Sequence, residues 1–119
     1  MTVEFKKLTQ DISSNLSELG KNIPQVMKEF NALNRAGSAE GVLDAKTKEL
    51  IALAIGVAVR CDGCIGFHSK ALVKLGASEA EVHEALGVAV YMGGGPSMMY
   101  AANAVAAYKE FSATETATA

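Results

Sequence analysis

The chain has 119 residues, of which 11 are basic and 13 acidic, giving a net charge of −2, with half of the residues apolar and a fifth charged. That is the scale of one globular domain, and the near balance of charge excludes a basic nucleic-acid face, an acidic tail and a disordered chain. The longest unbroken apolar run, Leu50 to Val59, is ten residues, about half of the ~20 that cross a bilayer, so no membrane partner is expected either.

No segment alternates with the period of a strand, there are only two prolines, and Ala, Leu, Glu and Lys are abundant, so the expected fold is all-α with about six helices. The first runs from about Glu4 to Leu19 on a stripe of Phe5, Leu8, Ile12, Leu16 and Leu19, with Gly20 in the position of a C-terminal cap. Pro24 suits the first turn of a second helix that carries Val26, Met27, Phe30 and Leu33 and stops near Gly37. Asp44 is the N-cap of a third, Ala45 to about Val59. A fourth opens at Cys61-Asp62-Gly63-Cys64 and runs to a stop at Gly76; Ser78 and Glu81 form a capping box for a fifth, ending near Met92. Gly93-Gly94-Gly95 make a tight turn, and Pro96 starts a sixth helix to about Phe111. Residues 1–111 read as a single domain and 112–119 as a tail without fixed structure.

Helices three, five and six are apolar on nearly every face, as in Leu50-Ile51-Ala52-Leu53-Ala54-Ile55. Such helices call for burial on all sides, and a domain of this size has too little interior to hide three of them. A homo-oligomer with small Ala and Gly surfaces meeting between subunits resolves the conflict. The N-terminus lacks the charged-then-apolar order of a signal peptide, so the expected location is cytoplasmic, where thiols are free by default.

The two cysteines, Cys61 and Cys64, would close too small a loop to staple a fold, so the pair reads as chemical. With a helix starting near Cys61, positions 61, 64 and 68 share one face, bringing two sulfurs and the imidazole of His68 within reach of each other. The exposed N–H groups of a helix start favour a thiolate, and Arg60 adds positive charge beside it, although a solvated arginine is equally natural there. Glu49, in the otherwise apolar third helix, is either solvated in the first turns or paired with His68, in which case a Glu–His–Cys chain could carry a proton away from a thiol. On the same face Gly56 offers a place for close helix approach. A covalent haem site is rejected because Ile65, not histidine, follows Cys64, and a thioredoxin-type site lacks its strand. Zinc on Cys61, Cys64 and His68, with Glu49 or His83 as fourth ligand, and an inert buried pair stay open as alternatives. His83 itself reads as a surface or helix-contact residue.

Glu49, Cys61-Asp62-Gly63-Cys64, His68, Gly76-Ala77-Ser78 with Glu81, and Met92-Gly93-Gly94-Gly95-Pro96 together resemble the AhpD-like alkylhydroperoxidase branch of the carboxymuconolactone decarboxylase family, over about Leu43 to Phe111. The resemblance implies an all-α homo-oligomer, a hexamer built as a trimer of dimers or else a trimer, and a cofactor-free peroxidase. It assigns Cys64 as the thiolate that attacks the peroxide, Cys61 as the resolving cysteine and point of attack for an external dithiol, and His68 with Glu49 as the proton relay. The substrate would be a peroxide or a disulfide, and the electron donor a lipoyl protein or a thioredoxin-like dithiol. A protein disulfide reductase and a decarboxylase-like lyase using His68 and Glu49 are the competing activities. Gly63 stands where the AhpD proteins carry a further histidine.

Overall fold

The computed structural model describes residues 3–118, with side chains from Val3 to Ala113. Six helices follow in chain order: α1 Phe5–Asn22, α2 Pro24–Ser38, α3 Ala45–Ala58, α4 Asp62–Lys74, α5 Glu79–Gly93 and α6 Gly95–Thr118. Among the described residues there is no strand.

Local chemistry starts several of these helices where the sequence places them. Asp44 accepts a hydrogen bond from Thr47 N at 2.7 Å, which satisfies a donor that the first turn of α3 leaves over. That bond is the main reason the Asp44 carboxyl is held below its ordinary pKa. At α5, Ser78 Oγ accepts from Glu81 N at 3.1 Å while Glu81 Oε1 accepts from Ser78 N at 2.9 Å. The other oxygen of Glu81 meets Lys46 Nζ at 2.8 Å and so ties the start of α5 to the start of α3. Each partner stabilises the other's charge: the Lys46 ammonium rises in pKa and the Glu81 carboxyl falls.

The core lies among α3, α4, α5 and α6, each packed against two or three of the others. Leu53 and Val57 of α3, Ile65 and Leu72 of α4, and Val82 of α5 are fully buried. The buried stripe of α6 is small (Ser97, Ala101, Ala104, Ala107), which lets this helix lie close to its neighbours until Phe111 closes the end. Tyr108 latches α6 to the turn after α4 by donating to the carbonyl of Ala77 at 2.7 Å.

α1 packs on α4 and α6 through Phe5 and Thr9. Glu4, at its N-cap, makes no side-chain cap. The carboxylate of Glu110, a hundred residues away on α6, does so instead, accepting from Phe5 N at 3.0 Å and from Lys6 N at 2.9 Å. α2 buries no residue, and Val26, Phe30 and Leu33 lie exposed on one face of it.

Three boundaries differ from expectation. Gly20 does not end α1, which continues to Asn22; the glycine sits inside the helix, with Met27 of α2 packed over it. Only Gly94, at φ 76°, breaks the chain between α5 and α6. α6 also runs past Phe111 to Thr118, since no glycine or proline in 112–118 stops it; Ala119 lies outside the described residues. The all-round apolar helices are not covered on every side within one chain, for Ile51 and Ile55 of α3, Val59 at its C-cap, and Val88, Tyr91 and Met92 of α5 are exposed.

Candidate active site

Cys61 belongs to two helix ends at once. α3 finishes with Arg60 N donating to Val57 O at 3.1 Å and Cys61 N donating to Gly56 O at 2.9 Å, the paired bonds of a Schellman stop. Arg60, the residue this motif drives into the left-handed region, has φ 60°. Cys61 is then the N-cap of α4: its sulfur accepts from Cys64 N at 3.1 Å, the place a serine or aspartate oxygen takes elsewhere. The two cysteines are joined as a disulfide across the first turn, with Cα atoms 5.2 Å apart.

From there α4 turns Cys64 and His68 toward α3. A Cβ on Gly56 would stand 3.0 Å from Cys64 Cβ, so the missing side chain is what lets the two helices meet at the sulfur. Farther along the same contact, His68 Nδ1–H donates to Glu49 Oε2 at 2.6 Å. The side chains of Glu49 and His68 are only 17% and 31% exposed, so the bond is sheltered from water. A short, partly desolvated, charge-assisted bond fixes the ring, and in neutral imidazole it leaves the lone pair on Nε2.

Residues on the other side of α4 explain the glycine between the cysteines. Gly63 and Gly66 face α1: a Cβ on Gly63 would stand 3.0 Å from Ile12 Cδ1, and one on Gly66 would stand 2.6 Å from Thr9 Cγ2. A side chain at 63 would therefore meet the tip of Ile12, on the helix face turned away from His68. Asp62 holds one oxygen, Oδ1, buried without a hydrogen-bond partner.

All four residues expected to carry chemistry are thus gathered at the α3–α4 contact. His83 is on the surface, 3.8 Å from Glu79, away from this group. Among the described residues no set of three His, Cys, Asp or Glu side chains is arranged to hold a metal ion. No helix among them is long and apolar enough to cross a membrane. Sequence reasoning missed the backing role of Ile12 and the buried oxygen of Asp62. Only the glycine spacing of 63 and 66 hints at the first, and nothing in the sequence signals the second.

Comparison with known proteins places this arrangement. The model of the carboxymuconolactone decarboxylase family matches residues 24–107, most of the chain and all of the α3–α4 contact. The chain belongs to that family. A crystal structure of a carboxymuconolactone decarboxylase family protein from Legionella pneumophila superposes with a TM-score of 0.89 at 55% identity, covering 91% of this chain and 96% of the other. Another, from Thermotoga maritima, gives 0.84 at 33% identity over 92% of this chain and 94% of its own, and is described as "possibly involved in antioxidative response". An uncharacterised protein of Cupriavidus necator is 34% identical over 113 residues, 95% of this chain and 100% of that one. Within the carboxymuconolactone decarboxylase family, then, this is an all-α member with a CxxC pair closed as a disulfide.

Proposed function

We propose that the protein is a thiol-dependent hydroperoxidase with an antioxidant role. The observation that carries this reading is a redox-capable cysteine pair in the first turn of α4, on the same helix face as a histidine hydrogen-bonded to a carboxylate. In the reduced enzyme His68, oriented by Glu49, takes the proton of Cys64. The thiolate attacks one oxygen of the hydroperoxide, the O–O bond breaks, and the alkoxide leaves as an alcohol with the proton from the relay. Cys64 is left as a sulfenic acid. Cys61 attacks its sulfur, water departs, and the disulfide forms. An external dithiol, a lipoyl protein or a thioredoxin-like donor, then supplies two electrons to restore both thiols. The cycle needs no cofactor. The antioxidative description of the Thermotoga relative supports this reading.

The test is a thiol titration of reduced protein before and after one equivalent of an alkyl hydroperoxide. Two thiols per chain should disappear and return with a dithiol. Cys64→Ser should abolish peroxide consumption, and Cys61→Ser should leave a trapped sulfenic acid or mixed disulfide. Unchanged thiols with the parent protein would refute the reading. A disulfide reductase would instead keep turnover on protein disulfides without consuming peroxide. The Glu49–His68 pair also suits acid–base work in a decarboxylation, and a lyase would survive alkylation of both cysteines.

The working unit we propose is a cytoplasmic homo-oligomer, with a hexamer built from three dimers ahead of a trimer. Ile51 and Ile55 of α3, continued by Val59 at its C-cap, form one exposed apolar stripe of the kind that subunit contacts cover. Sedimentation equilibrium giving a monomer at micromolar concentration would contradict it.

A further inference from the structure

Two helices of this chain end in the same motif with different residues at the strained position. α4 stops with Gly76 N donating to Val73 O at 3.1 Å and Ala77 N to Leu72 O at 3.0 Å, and Gly76 has φ 76°. α3 stops with the equivalent bonds, but the residue at φ 60° is Arg60, the one non-glycine with positive φ among the described residues. An L side chain in that region crowds its own backbone, which is why glycine is the usual choice there. Something other than the turn accounts for arginine.

Its side chain supplies the reason. Arg60 is exposed, and among the described residues no ion pair or hydrogen bond engages its guanidinium. It is covalently joined to Cys61, half of the disulfide. Two carboxyl side chains lie near the pair, Asp62 at the start of α4 and Glu49 against His68, and the chain as a whole carries a net charge of −2. An anion nearing the disulfide would otherwise meet a repelling field.

We infer that Arg60 is a positioning residue that draws an anionic thiolate onto the Cys61–Cys64 disulfide. The inference rests on the dithiol cycle proposed above and concerns its reductive half. There the attacking species, RS⁻, is negative whatever molecule bears it. It bonds to one sulfur of the pair, the S–S bond breaks, and the other sulfur leaves with the electron pair as a thiolate. A second thiol of the reductant, attacking as its thiolate, displaces the remaining cysteine. The reductant becomes a disulfide, and the protein gains two electrons and takes up protons from water. A cation carried one residue from the disulfide raises the local concentration of the first anion, and it does so more strongly when the thiol carries a further negative charge.

The experiment uses the full-length oxidised protein and three small thiols: 2-mercaptoethanesulfonate, 2-mercaptoethanol and cysteamine. Rates of disulfide opening are compared at equal thiolate concentration and low ionic strength. The parent should favour the sulfonate over cysteamine roughly 3–10-fold more than Arg60→Gln does, a modest case of electrostatic steering. Arg60→Lys should restore most of the preference. About 0.5 M salt, where the Debye length is ~4 Å, should erase it in the parent. Arg60→Gly should lose the preference while melting no lower than the parent, which a merely structural role would not produce. The same charge preference in the parent and in Arg60→Gln overturns the inference. Loss of peroxide turnover with the preference intact would refute the proposed activity and leave this inference standing.

Discussion

Gly56→Ala tests how closely the α3–α4 contact is tied to the chemistry. The new Cβ would stand 3.0 Å from Cys64 Cβ, several tenths inside an ordinary carbon contact of about 3.5–4 Å. A Cβ atom cannot rotate out of the way, and the Cys64 sulfur is held by Cys61, so relief requires the two helices to part. Overpacking of this kind costs about 1–3 kcal/mol, and alanine inside a helix returns roughly 1 kcal/mol over glycine. The expected net loss is about 0–2 kcal/mol, or up to ~10 °C in Tm for a domain of this size. Activity should fall further than stability, because parting the helices lengthens the 2.6 Å bond between Glu49 and His68. Misplacements of an ångström can cost on the order of 100-fold in rate. The assay pairs thermal unfolding of the oxidised protein with alkyl hydroperoxide consumption under excess dithiol. Gly37→Ala, at a glycine with nothing within 4 Å, serves as the control and should be neutral or slightly stabilising. A Gly56→Ala protein as stable and as active as the parent would refute the reasoning.

Glu49→Gln should keep a hydrogen bond to His68 but remove the carboxylate, lowering peroxide consumption about 10–100-fold with little change in Tm; an unaltered rate would remove Glu49 from the relay. Glu110→Ala deletes the carboxylate that accepts from Phe5 N and Lys6 N, and should cost about 1–2 kcal/mol in urea unfolding; no loss would mean water replaces the cap. On acidification, Asp44 and Glu81 lose what their depressed pKa values contribute: it is fully present above the ordinary carboxylate range near pH 4 and disappears as pH falls through the lower folded values. Lys46, whose pKa is raised, acts in the opposite direction, with its contribution complete below about pH 10 and lost as the pH climbs past the folded value. Unfolding midpoints measured against pH should therefore lose one acid-limb component in a Glu81→Gln variant, and an unchanged acid limb would refute that link.

The parts of the molecule readable from sequence are those set within a few residues. Asp44 and Ser78 announce their helices because the donors they satisfy lie three residues on. Cys61, Cys64 and His68 share a face by helical period alone, whereas the sequence left Glu49 open between solvent and the ring of His68, and only the packing of α3 on α4 decides for the ring. What was not legible depends on distant contacts. Nothing near Glu110 marks it as the cap of a helix 105 residues earlier in the chain. Gly20 has the composition of a stop, but packing of Met27 over it makes it a helix interior. Arg60 conceals a left-handed turn because the residue type argues against one, and only the bonds to Val57 and Gly56 reveal it.

Because Cys61 is held on its amino side by the end of α3 and on its carbonyl side by Ile65 of α4, the stretch from Val57 to Ile65 tolerates no change in length. Inserting or deleting a single residue would break the paired bonds that end α3 or the one that starts α4, shifting the helices against each other and separating the sulfurs and the Glu49–His68 pair together. In any descendant of this gene that keeps the chemistry, those nine positions should pass on as a block, whereas the exposed residues 41–43, ahead of the Asp44 cap, should vary in number more readily.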